Sequence, residues 1–268
     1  MKTLPLKLIK TGLLPWGVCS RRQGRGVRIL SWHRVSGRFP SEIELPYSLF
    51  QQQLEFLAAT GKVVSYEKAL ELLQPGDAND HVALTFDDGH EDFYTHAFPL
   101  LKRLNLPATV FVTTGFVEEG KNYPLSKINS PEIRPVTWEM LAEMLESGLV
   151  TIGAHTHTHP NLVHESNDRV IEELARPLEF FRKRLDLAVR HFAYPRALCN
   201  AAVETLVRQY YASAAIAGGK KATAEGFNPY RVPRTPIRRS DGWLFFCAKL
   251  RGWLEPEEEF YCRLKKFA

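Results

Sequence analysis

The chain has 268 residues, 44% hydrophobic and 24% charged, which supplies a full core and excludes a disordered or collagen-like protein. Thirty-five Lys and Arg against 30 Asp and Glu leave a formal charge of +5. The positive residues are scattered with no aromatic-basic stripe, so no nucleic-acid partner is expected. The four cysteines, Cys19, Cys199, Cys247 and Cys262, form no CxxC pair, which excludes a thiolate zinc site and points to a reducing compartment.

Residues 1–26 form a basic, partly apolar segment. Lys7 and Lys10 interrupt the apolar run that a signal peptide needs, and no small-residue cleavage site follows. A cytoplasmic location is expected, with peripheral contact at the inner membrane face as the further option. No run of about 18 apolar residues predicts a membrane-spanning helix.

From residue 27 strands and helices alternate. Continuous apolar runs predict strands at Val27–Trp32, 82–86, Ala108–Val112, 149–154, 191–194 and 211–216. Helical spacing marks 49–57, 91–104, 137–147 with Thr137 as N-cap, Asn167–Leu185 interrupted at Pro177, and 200–208. Buried strands separated by helices imply a parallel sheet covered on both faces. Six or seven such units over 27–240 fit a β/α barrel of one domain better than an open sheet. Residues 241–268 read as a helical tail on or near the barrel, in which Trp243, Phe246, Leu250 and Trp253 share a helical face. That stripe reads as core packing before membrane contact.

Three motifs sit at the carboxyl ends of strands, where barrel enzymes keep their chemistry. In Thr85-Phe86-Asp87-Asp88-Gly89, two adjacent carboxylates leave a strand in different directions. One can ligate a metal while the other serves as a base, although a bare Asp-Asp-Gly by itself reads first as turn chemistry. In His155-Thr156-His157-Thr158-His159-Pro160, histidines four apart can meet in a tight turn on one cation, or 155, 157 and 159 can share one face of a strand. Two imidazoles with a carboxylate from a second strand would leave metal positions open for water and substrate. The third motif is Phe192-Ala193-Tyr194-Pro195-Arg196.

TFDDG, then a helix and PATVFV, then GAHTHTHPNL and FAYP, together resemble the polysaccharide deacetylases with the NodB homology domain (carbohydrate esterase family 4-like), over about residues 27–238. The resemblance implies a distorted (β/α)7 barrel and a hydrolase that uses a divalent metal, commonly zinc, to remove N- or O-acetyl groups from sugars. It assigns Asp88, His155 and His159 to the metal and Asp87 to the base, with His157 at a variable position between the ligands. It also implies that Tyr194, Pro195 and Arg196 face the substrate, a backbone N–H there holding the oxyanion. Nickel, cobalt or iron would suit the same donors.

The chain departs from the family pattern twice. The third motif carries Ala193 and Arg196, so the arginine that orients the base is expected from Arg234 in RVPRTPI. No histidine follows His191, so the late Leu-x-His acid is missing and His33 in ILSWHRV is the substitute candidate. His90, His96 and His164 are expected to face solvent. The expected substrate is an acetylated glycan or lipid-linked sugar. The alternatives are a deformylase or deacetylase of a lipid-linked sugar at the membrane face, or a carbohydrate-binding homologue with impaired catalysis. Oligomeric state is not readable.

Overall fold

The computed structural model describes residues 7–8, 10–15, 26–73, 80–121 and 133–257. Seven parallel strands close a barrel: β1 (Val27–Trp32), β3 (His81–Phe86), β4 (Ala108–Val112), β5 (Val150–Ala154), β6 (His191–Ala193), β7 (Ser213–Ala217) and β8 (Val232–Pro236). Closure comes from β8 pairing β1 at Leu30↔Thr235 while β1 also pairs β3 along its length. The two-residue β2 (Val63–Val64) lies against the first half of β3, and β4 takes over at Thr85 and Phe86. This is the expected (β/α)7 barrel, and the shared edge of β3 is where it is distorted.

The strands form because their apolar residues are continuous and can be buried on both faces. Ile29, Ala83, Phe111, Ala193 and Ala215 point into the barrel, which Tyr66 and Ala69 close below from α2 (Tyr66–Leu72). Leu30, Trp32, Leu84, Phe86, Val110, Val112 and Ile152 point outward under α1 (Tyr47–Thr60), α3 (Phe98–Leu104), α5 (Trp138–Glu146) and α6 (Asn167–Leu185). Thr137, Ser166 and Asn200 cap α5, α6 and α7 (Ala201–Tyr210) by accepting from the N–H three residues on, which fixes where each helix starts.

Two helices differ from expectation at prolines. The helix expected over 91–104 contains a π-turn at Phe93–Ala97, where Pro99 offers no N–H to the preceding turn. In α6, by contrast, Pro177 lies inside an unbroken helix, its ring buried in the same stripe as Val170, Leu174 and Phe181. Four elements lacked a periodic signal: β2, α2, α4 (Thr114–Glu119) and β8.

Helix α8 (Gly242–Leu250) packs on α1, with Trp243 edge-to-face against Phe56 at 5.4 Å and Phe246 fully buried. The tail's aromatic stripe is therefore packed into the molecule. Its other side, Phe245, Ala248 and Leu254, receives Leu13 and Leu14 from the helical residues 10–15. A buried ion network ties these ends together. Lys10 Nζ contacts Asp241, Ser240 Oγ (2.7 Å) and Glu257 (3.4 Å); Lys249 Nζ contacts Asp241 (3.0 Å), Glu257 (3.3 Å) and Pro236 O (2.7 Å). Residues 1–6, 9 and 16–25 of the amino-terminal segment, and the tail from residue 258, lie outside the described residues. Among those described, no helix is long and apolar enough to cross a membrane.

Candidate active site

The turn after β3 separates its two carboxylates. Asp87 N–H still bonds Trp32 O at 2.9 Å, whereas Asp88 and Gly89 both adopt left-handed backbone, φ +73° and +79°. That reversal sends the two side chains to different partners. Asp87 receives a bidentate fork from buried Arg234 on β8, at 2.6 and 2.8 Å. The guanidinium also bonds Thr85 Oγ1 at 3.2 Å and lies over the Phe111 ring at 5.3 Å. Burial alone would push the Asp87 carboxyl up, but Arg234, aided by His155 and His33, more than offsets this and holds it below the usual range.

Asp88 turns toward the histidine loop. His155 leaves β5 with its N–H on Val112 O at 2.9 Å. Its Nδ1 lies 2.7 Å from Ala193 O, an acceptor only, so Nδ1 carries the proton and Nε2 keeps its lone pair. Burial drives its pKa down to about 4 against the pull of Asp87 and Asp88, so the ring is neutral, as a ligand must be. His155 Nε2 and His159 Nε2 each stand 3.5 Å from Asp88 Oδ1. One donor atom from each of Asp88, His155 and His159 falls within 4.8 Å of the others. Two imidazole nitrogens and one carboxylate oxygen fit zinc and equally other borderline divalent ions. His157 points elsewhere, bonded to Thr114 Oγ1 at 3.0 Å and stacked on Phe180 at 5.4 Å.

One expectation is corrected. His90 does not face solvent: it is 2% exposed, and its Nε2 holds Asp88 Oδ2 at 3.1 Å, leaving Oδ1 toward the two histidines. Burial opposes ionisation of Asp88, yet His90 and the surrounding imidazoles hold its carboxyl well below the usual range. Its place two residues past Asp88, in a turn that folds back on itself, was the only signal in the sequence. His96 is half-buried and His164 exposed.

Of the remaining candidates, His33 reaches Asp87, and Tyr194, Pro195 and Arg196 follow Ala193, whose carbonyl bonds His155. His33 closes β1 with Nε2 3.9 Å from Asp87 Oδ2, and burial lowers its pKa although Asp88 and Asp87 pull it up. Tyr194 is buried, its N–H on Ala215 O at 3.0 Å and its hydroxyl on Tyr230 O at 3.1 Å. Pro195 has no N–H, and Arg196 follows in left-handed backbone at φ +58°.

A family profile described as polysaccharide deacetylase matches residues 75–215, more than half of the chain and all of the first three motifs. The chain belongs to the polysaccharide deacetylase family. As a member it is a hydrolase of the deacetylase type. It is 25% identical over 221 residues to a poly-beta-1,6-N-acetyl-D-glucosamine N-deacetylase of Staphylococcus aureus, covering 79% of this chain and 73% of that protein. It is 23% identical over 195 residues to the protein of the same name from Staphylococcus epidermidis, covering 69% and 65%. The chain thus spans about two thirds to three quarters of these relatives. Among solved structures it resembles IcaB from Ammonifex degensii (TM-score 0.69, 25% identity, 85% of this chain and 98% of that one). The fold is also that of the Streptococcus pyogenes deacetylase PplD, solved with acetate (TM-score 0.72, 24% identity, 85% and 99%).

Proposed function

We propose that this deacetylase removes N-acetyl groups from a β-linked polymer of N-acetylglucosamine. The observation that carries the reading is one mouth holding two carboxylates in different states of engagement, Asp87 in the Arg234 fork and Asp88 among His90, His155 and His159. The staphylococcal relatives' names supply both the polymer and the amide bond, and the site supplies the means of hydrolysis.

Asp88, His155 and His159 would hold a divalent ion, which supplies Lewis-acid polarisation to the acyl carbonyl and the attacking water. Asp87, kept ionised by Arg234, takes the proton of that water as its oxygen bonds the acyl carbon. Arg234 fixes both carboxylate oxygens, so the base is aimed as well as charged. A backbone N–H near Arg196 would hold the oxyanion. Lowered in pKa, His33 is neutral at rest. It accepts the proton from Asp87 and passes it to the sugar nitrogen as the C–N bond breaks, leaving a free amine and acetic acid, which gives up its proton to solvent as acetate.

The full ligand-and-base set argues against a merely sugar-binding homologue. The direct test is acetate release from partially deacetylated poly-N-acetylglucosamine, with zinc and with chelator. Zinc-dependent release supports the reading; release unaffected by chelator would overturn it. Lipid-linked N-acetyl and N-formyl sugars in the same assay decide between polymer and membrane substrates.

A further inference from the structure

The histidine loop is held in a conformation that its own backbone disfavours. Within four residues Thr156 and His159, neither of them glycine, sit in the left-handed region at φ +65° and +60°. This double reversal brings the imidazoles of His155 and His159, centroids 5.0 Å apart, to the same side of the loop. What holds it is a carboxylate sixteen residues away from His157.

Glu173, on α6, is completely buried. Its Oε2 accepts the backbone N–H of His157 at 2.8 Å and of Thr158 at 2.7 Å, and its Oε1 accepts the Thr158 hydroxyl at 2.6 Å. Arg169, one helical turn earlier, completes the arrangement. Its Nη2 lies 2.7 Å from Glu173 Oε1 and donates to Thr158 Oγ1 at 3.1 Å. From the opposite side Gly115 N–H bonds His157 O at 2.8 Å, where a Cβ on residue 115 would stand only 2.5 Å from that oxygen. Thr156 Oγ1 accepts His159 N–H at 3.0 Å. Glu173 therefore supplies the charged anchor for the two peptides between the ligands, without touching the ligand atoms.

We propose that Glu173 is a positioning residue for the metal group: its carboxylate fixes the 157–158 peptides and thereby the separation of His155 and His159. The inference rests on the reading of Asp88, His155 and His159 as ligands. A glutamine at 173 has one acceptor oxygen for three donors and turns its amide N–H toward Arg169, so it fits the pocket in size but not in bonding. Outer groups of this kind change metal affinity by about 10–100-fold.

The test uses the full chain, titrated with cobalt(II) after metal removal. Wild type should bind cobalt with a visible absorption typical of a nitrogen–oxygen site, and Asp88→Ala should not. Glu173→Gln should weaken cobalt binding by about 10-fold or more and alter that absorption. Glu173→Asp, keeping the charge, should recover part of the affinity. A melting temperature of the metal-free Glu173→Gln protein close to wild type would separate loop geometry from general instability. Unchanged cobalt affinity and absorption in Glu173→Gln would overturn the proposal even if the variant were less stable. Failure of wild type itself to bind cobalt would instead overturn the ligand reading on which it rests.

Discussion

In the proposed reaction Asp87 serves as the base because of what surrounds it. Burial favours its protonated form, and the Arg234 fork is the largest force in the other direction. Removing the charge in Arg234→Met should let the carboxyl pKa rise. Since the base works only when deprotonated, the acid limb of kcat/KM should move to higher pH; an unmoved limb would remove Arg234 from this role. Asp87→Asn should keep the metal and lose about 10²–10⁴-fold in kcat, read by steady-state acetate release. These two residues were legible in the sequence to different degrees. Asp87 stands in a local motif, whereas Arg234 lies 147 positions away in a segment with two prolines and little apolar patterning, and only the family resemblance drew notice to it. His90 was missed because histidine has no fixed preference for burial, and what buries it is the reversal at Asp88 and Gly89.

Whole elements were read best where apolar runs were continuous. β1 and β4 have the expected bounds because every residue in them is buried. β8 escaped notice because its central residues are Pro, Arg and Thr, Arg234 bonding Asp87 within the barrel and Thr235 bonding Gly219 O. Between elements, polar anchors set local stability. On α7, burial would push the Glu204 carboxyl up, but Arg231, Arg208 and Asn228 bond it and hold it down to about 2. Because the folded value is lowered from 4.5, this stabilisation is complete above that pH and lost as pH falls toward 2. Glu204→Gln should therefore be less stable than wild type at pH 7, the gap narrowing across that window in acid-unfolding curves. A gap independent of pH would show that Glu204 acts by packing alone.

At the scale of the molecule, the closed barrel brings β1, β3, β5 and β8 to one mouth, so residues from 33 to 234 come within reach of one another. The same closure brings Lys10 beside Asp241, Lys249 and Glu257, far from the chemistry. Removing one member of a buried ion set leaves an uncompensated charge. Lys10→Met should thus cost about 3–5 kcal/mol in denaturant unfolding. The charge-balanced double variant Lys10→Met, Glu257→Gln should cost less than the single; a larger loss would mean that packing, not charge, governs the junction. This network was not legible beforehand, since lysines at positions 10 and 249 look like solvent-facing charges until the ends of the chain are folded together.

The central claim is that Asp88, His155 and His159 together hold the ion on which hydrolysis depends. Elemental analysis of purified wild type and of Asp88→Ala, His155→Ala and His159→Ala, alongside acetate release from poly-N-acetylglucosamine, tests it most directly. The predicted result is a single equivalent of divalent metal in wild type, with metal and activity lost together in each folded variant. Stoichiometric metal retained in these variants, or full activity without it, would contradict the account.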